Sequence, residues 1–160
     1  MRIERDGQKD FDFLPGTWKI RNRRRRERLA GCTQWDEFDA ISVARPLWGG
    51  LGNVDEYEGQ APFGLIQGVT VRLYDAAARQ WRLHWANRAT GIFDAPMIGH
   101  FVDGRGEFFN QELHEGRAVY ARFIWSDITP VSCRWEQALS ADGGTTWETN
   151  WLMESTRWER

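Results

Sequence analysis

Residues 132–154 read SCRWEQALSADGGTTWETNWLME, and the two-residue alternation within them decides the fold. Counting inward with Ser140 opposite Thr146, Leu139 meets Trp147, Gln137 meets Thr149, Trp135 meets Trp151 and Cys133 meets Met153. The interleaved set pairs Ala138 with Glu148, Glu136 with Asn150 and Arg134 with Leu152. Partners across a hairpin share a face, so one face is ringed and apolar and the other polar, as in half-buried antiparallel strands. Carrying the count back across 126–132 sets Trp125 against Cys133, Phe123 against Trp135, Ala121 against Gln137 and Arg122 against Glu136. Three strands thus agree on one phase.

The same alternation runs outward through the chain, broken roughly every 8 to 14 residues by Gly, Asp, Asn or Pro. Strands are expected over 17–26, 33–44, 53–58, 68–75, 80–87, 96–103, 107–113, 117–126, 132–140 and 146–154. A short helical turn is expected at Asp10 to Leu14, before Pro15. The hairpin around 74–80 is read with Val69/Trp85, Val71/Leu83 and Leu73/Trp81 on one face, and Thr70/His84 and Arg72/Arg82 on the other. The first hairpin sets Arg21 opposite Asp39 and Arg23 opposite Glu37, leaving Trp18, Ile20, Asn22, Phe38, Ala40 and Ser42 on its second face. Around Asp103-Gly104 more than one register fits, which leaves the facing of His100, Glu107 and Asn110 open. A sheet of about eight to ten strands with one aromatic face must pack on another layer or close on itself, and no helices are spare for a layer. The expected fold is therefore all-β: a single closed antiparallel up-and-down β-barrel spanning residues 1–160, with a two-sheet sandwich as the alternative.

Composition bounds the partners. The chain has 160 residues, enough for one domain with a core. Lys plus Arg number 21 against 23 Asp plus Glu, a net charge of −2 that gives no general pull toward nucleic acid or an anionic membrane. Ten Trp and nine Phe make the apolar part unusually aromatic. No stretch has the roughly 20 apolar residues of a spanning helix. The start, MRIERDGQKD, carries charge where a signal peptide is apolar, so residence in the cytoplasm is expected. Cys32 and Cys133 are then free thiols, and neither has metal-ligand spacing.

Gly16-Thr17-Trp18 opens the first strand and Thr156-Arg157 follows the last. These residues resemble the calycins, the superfamily of lipocalins and fatty-acid-binding proteins, in which a GxW tryptophan closes the barrel floor beneath an arginine from near the C-terminus. In this chain the resemblance implies a cation-π lid of Arg157 on Trp18. The runs FDFLPGTW, RPLWGGLGNVDEY and RFIWSDITPVSCRWEQALSADGGTTWETNW are similar to a family of bacterial lipocalin-like proteins without an assigned reaction. That similarity spans nearly the whole chain and implies a calycin-type barrel that binds a small apolar molecule.

Residues 140–147, SADGGTTW, match the Asp-box pattern of sialidase propellers, but one copy cannot build a propeller and the motif is read as a hairpin device. The basic run Arg21 to Arg28 is read as a solvated cross-strand ladder in preference to a nucleic-acid patch. Arg122, Glu136 and Asn150 fall in one row, expected to brace the outside of the sheet. Asn53, Asp55 and Glu56 follow a glycine-rich bend and either border a barrel mouth or cap turns. His84 is expected on the outer face; a haem-ligating or catalytic role would need it, His100 or His114 to face inward.

The expected interior comprises Trp18, Phe38, Val71, Leu83, Trp85, Phe123, Trp125, Trp135, Trp151 and Met153, with Asn22, Gln137 and Thr149 as scattered polar groups. Many rings and few polar groups suit a pocket for a small apolar or aromatic molecule, oriented by Asn22, Gln137 and Thr149, unless the rings fill the barrel outright. Two other readings stand beside it. One is an isomerase, cyclase or hydrolyase on the same scaffold, using a carboxylate or histidine at the cavity mouth, although no nucleophile, base and orienter set is visible. The other is an interaction module forming a homodimer through Trp35, Trp48 or Trp158.

Overall fold

The computed structural model describes residues 6–158; residues 1–5, half of the charged start read above, lie outside them. Ten strands follow one another: β1 (Gly16–Arg25), β2 (Trp35–Leu47), β3 (Gly52–Ala61), β4 (Gly64–Asp75), β5 (Gln80–Asn87), β6 (Met97–Val102), β7 (Arg105–His114), β8 (Arg117–Ser126), β9 (Ser132–Ser140) and β10 (Glu148–Arg157). Each pairs antiparallel with its neighbour in sequence, and β1 with β10 closes the barrel. Closure leaves no free edge, and it replaces the sandwich as the architecture. Among the described residues no helix is long and apolar enough to cross a membrane.

One end, the floor, gathers the start of β1, the end of β10 and the connections after β2, β4, β6 and β8. A 3-10 turn, Gly7–Lys9, lies three residues ahead of the turn expected at Asp10 to Leu14, and further turns carry the chain through Phe13. This segment plugs the floor. Phe11 is 2% exposed and lies edge-on to Trp81 at 5.0 Å and to Phe101 at 4.9 Å. The Trp81 indole donates to the Gly7 carbonyl at 2.9 Å. Beside it the Trp18 indole donates to the Leu14 carbonyl at 2.7 Å, and the Arg157 guanidinium covers the Trp18 ring at 4.3 Å.

The first hairpin has the expected register, with Arg21 opposite Asp39 and Arg23 opposite Glu37. Both pairs are exposed ion pairs at 3.1 and 3.3 Å. The β8–β9 ladder is displaced by two residues from its expected register, so Trp125 meets Trp135 and Phe123 meets Gln137; the faces are unchanged. In β9–β10 a bulge at Asn150 lies between two registers. Beyond it Trp151 meets Gln137 and Met153 meets Trp135, while before it Thr149 meets Ala138. The extra residue takes Thr149 off the phase of Trp151. The expected row of Arg122, Glu136 and Asn150 is not formed: Arg122 pairs with Ala138 and stacks on Trp147 at 4.5 Å, and Asn150 is fully buried.

The β4–β5 hairpin departs most from expectation. Asp75 pairs with Gln80 across a loop of four residues, because the Asp75 carboxylate accepts from the amides of Ala77 and Ala78, both at 3.1 Å, and Arg79 takes a left-handed backbone with φ 55°. The register therefore slips by one, which exchanges faces on β4. Val71 pairs with His84 and turns outward, whereas Thr70 and Arg72 pair with Trp85 and Leu83 and turn inward. The Asp-box segment is the turn device expected: Asp142 accepts from the Thr146 amide at 2.9 Å and hydroxyl at 2.5 Å, and from the Ser140 hydroxyl at 2.8 Å. These hydrogen bonds hold the Asp142 carboxyl down at about 2.

Candidate functional site

The rings do not fill the barrel. A cavity of about 430 Å³ runs from the floor to a mouth bordered by the exposed residues Phe63, Thr90, Asp94 and Ala95. Its middle is an aromatic belt, placed by inward positions of β3, β5, β8, β9 and β10. Tyr57 lies edge-on to Trp85 at 6.2 Å and to Trp151 at 6.5 Å; Trp135 contacts Trp151 at 5.8 Å and Phe123 at 4.9 Å. Trp125 continues the wall toward the floor, 5.7 Å from Phe11.

Of the nine residues expected to bind, Trp85, Phe123, Trp125, Trp135, Gln137 and Trp151 line this cavity. Phe38, Asn22 and Thr149 do not. Phe38 is buried behind the wall, 6.5 Å from Trp151 and 6.4 Å from Phe63. Asn22 is fully buried and its amide is consumed internally: it donates to the Ile20 and Phe38 carbonyls, while its oxygen accepts from the Tyr57 hydroxyl at 2.8 Å and the Trp151 indole at 3.1 Å. Its role is to fix two rings of the belt from behind. Thr149 is off the wall because of the bulge, and its carbonyl accepts from Arg25 at 3.2 and 3.1 Å. Gln137 reaches the wall but donates to the Asn150 side chain at 2.7 Å.

The polar groups that do face the cavity lie at its two ends. Near the floor Arg72, 5% exposed, pairs with Asp55 at 2.6 Å and donates to Asn53 at 2.9 Å. Asp55 and Asn53 thus lie at the closed end, with neither a mouth role nor a turn-capping one. Two buried donors there, Arg72 Nε and Trp125 Nε1, have no hydrogen-bond partner. A guanidinium N–H and an indole N–H left without acceptors in so dry a place each carry a desolvation cost that an acceptor reaching them would relieve.

At the mouth, β1 delivers Arg24 on the same parity as Trp18, Ile20 and Asn22. Its guanidinium lies over Trp151 at 5.0 Å and Phe63 at 4.8 Å, with a buried Nε that has no partner. Burial lowers it to about 10, so it stays charged at neutral pH. Glu112 and Asp94 border the same opening, and burial raises both carboxyls. Asn110, whose facing the sequence left open, points inward and donates to the Ala95 carbonyl at 2.9 Å. The Cys133 thiol on the wall is pushed up to about 11 by burial, which keeps it protonated.

The cavity wall includes none of the three histidines. His84 lies outside against Phe93 at 6.1 Å, His100 is exposed opposite Glu107, and His114 lies beyond the rim. Among the described residues no group of three or more His, Cys, Asp or Glu could hold a metal ion. Of the three exposed tryptophans expected, Trp48 is 70% exposed, Trp35 is stacked beneath Arg25 at 4.5 Å, and Trp158 beneath Lys19 at 4.7 Å.

No protein-family model matches the chain, and no curated protein matches it by sequence. Solved structures do match it in fold. The S-type phycobiliprotein lyase CPES from Guillardia theta superposes with a TM-score of 0.64 at 15% identity, over 98% of this chain and 95% of that one. Rv2717c from M. tuberculosis gives 0.64 at 12% identity, over 97% and 99%. The barrel EF1p2_mFAP2b bound to DFHBI gives 0.52 at 10% identity, over 95% and 99%. At these identities the likeness is one of fold alone, a closed antiparallel β-barrel of the lipocalin-like kind.

Proposed function

We propose that this barrel binds a small, flat, aromatic molecule in its cavity, with Trp85, Phe123, Trp125, Trp135 and Trp151 as the contacting rings. The observation that carries the reading is the shape of the interior: about 430 Å³ of space surrounded by an aromatic belt, although ten tryptophans were available to fill it. A cavity of that size suits a ligand of two or three fused or linked rings. Ring faces and edges spaced 4.9–6.5 Å apart favour a planar partner over a flexible chain, because stacking adds to the burial of apolar area and a rigid ligand loses little conformational entropy. Arg72 Nε and Trp125 Nε1 supply donors for a carbonyl or hydroxyl at the deep end, the orienting part the sequence had assigned to Asn22, Gln137 and Thr149. The fold likeness to a barrel bound to DFHBI supports the same reading.

The test is a titration of intrinsic tryptophan fluorescence with N-phenyl-1-naphthylamine, a flavonoid and a saturated fatty acid. Saturable quenching at one equivalent is expected for the two aromatic probes, with the fatty acid binding more weakly. Absence of any change with all three would refute the proposal.

A further inference from the structure

Beside the mouth of the barrel lies a second, polar groove that shares two lining residues with the cavity. It is lined by Arg24 to Ala30, His114, Glu115 and Arg117, from the end of β1, the connection that follows it and the β7–β8 turn. Arg24 and Arg28 belong to both walls. The basic run read as a solvated ladder is thus divided by parity and by turn. Arg21 and Arg23 form the ladder outside, Arg25 is tied to Glu148 at 3.7 Å and Arg26 to Asp36 at 2.9 Å. Arg24, Arg28 and Arg117 form no ion pair among the described residues, while Arg24 Nε and His114 Nε2 are buried without a hydrogen-bond partner.

Cations left unpaired where burial penalises them need another source of compensation. Burial depresses both Arg24 and Arg28, and Glu112 lies near Arg28 without closing an ion pair. We propose that the ligand of this barrel is an aromatic molecule carrying an oxyanion tail, a carboxylate or a phosphate. Its rings lie in the belt and its tail passes between Arg24 and Arg28 into the groove toward His114 and Arg117. The two arginines that stand between the cavity and the groove set the order of the parts: rings inside, anion at the rim. Arg24 serves both, since it stacks on Trp151 and Phe63 while its Nε has no hydrogen-bond partner. This inference rests on the barrel-binding reading above and adds the chemistry of the tail.

A matched pair of probes separates the two. 1-Anilinonaphthalene-8-sulfonate and N-phenyl-1-naphthylamine share their ring system, and only the first bears an anion. The sulfonate is expected to bind more tightly, with an affinity that falls as salt rises. The ratio of the two affinities should drop at least about tenfold in Arg24→Gln/Arg28→Gln. Arg28→Gln alone, in the β1–β2 connection and in no strand, should lower the ratio by a smaller factor and guards against a fold defect in the double variant. Arg21→Gln, on the outer ladder, should leave it where it is. Displacement of the sulfonate probe by 1-naphthyl phosphate or 1-naphthoate, whichever is stronger, identifies the tail. If the neutral probe binds and the ratio is unmoved in both Arg28 variants, the tail inference is overturned and the barrel reading survives. If neither probe binds, both are overturned.

Discussion

The guanidinium of Arg157 lies 4.3 Å above the ring of Trp18, so the end of the last strand is locked to the start of the first. The same guanidinium donates to three carbonyls on two different segments, Pro15 at 2.8 Å, Phe13 at 2.6 Å and Pro130 at 3.1 Å. One planar fork thereby ties the floor plug, the closing ladder and the β8–β9 connection together. Gly16 is part of this lock: its φ is +129°, and a Cβ there would collide with Arg157 Nη1.

Lysine can supply the charge over the ring but not the fork. Arg157→Lys is therefore expected to lower stability by about 2–3 kcal/mol, read as a lower urea midpoint at unchanged slope. Equal midpoints for the variant and the parent would show that the ring contact alone holds the floor.

Arg72 and Asp55 form a buried ion pair in the interior, 2.6 Å apart. Removing one partner leaves a desolvated charge, so Asp55→Leu and Arg72→Met are each expected to destabilise by about 3–5 kcal/mol. The double replacement should cost less than either alone, since no desolvated charge is then left without its partner. A double-mutant cycle on chemical denaturation measures the coupling, and simple additivity would contradict it.

Glu112 gives the pH dependence a definite sign. Burial, with Asp94 nearby, raises its carboxyl, while the Asn110 hydrogen bond, Arg28 and His114 partly offset this. A carboxyl raised in the folded state binds its proton more readily there than when unfolded, so stability declines as pH climbs from the ordinary carboxylate range through the raised value. Glu112→Gln should flatten that part of the profile, seen in melting temperatures from about pH 4 to pH 7. The same substitution removes a negative charge facing Arg28 and should tighten binding of the sulfonate probe.

Much of this molecule was legible as alternation. The register of the first hairpin follows from its charge pairs, and the faces of β8, β9 and β10 follow from Trp125, Trp135 and Trp151 even where the ladder moved by two. What was not legible depends on single-residue events. One Asx turn at Asp75 exchanged the faces of β4 and brought Arg72 inside in place of Val71. One bulge at Asn150 removed Thr149 from the wall. Arg24 was visible by parity with Trp18, Ile20 and Asn22, but it stands in a run of arginines whose alternate members do face solvent. Charge hid what the period of two indicated.

The last prediction concerns the shape of the belt. Gly68 on β4, buried and on the same parity as Thr70 and Arg72, faces inward beneath the Trp85 ring, and a Cβ there would occupy the space of that ring's outer edge. A glycine in a strand weakens it, so its presence in the middle of β4 reflects this close approach. Gly68→Ala cannot push the backbone aside, since β4 is held on both flanks by β3 and β5. The indole must move instead, and the open side is the cavity. The variant is expected to keep the barrel's far-ultraviolet spectrum and to bind N-phenyl-1-naphthylamine at least about tenfold more weakly, as an overpacked wall intrudes on the ligand's volume. Undiminished affinity in a folded Gly68→Ala protein would mean that Trp85 is not a wall of the binding space, and the belt would have to be redrawn around Tyr57, Trp135 and Trp151.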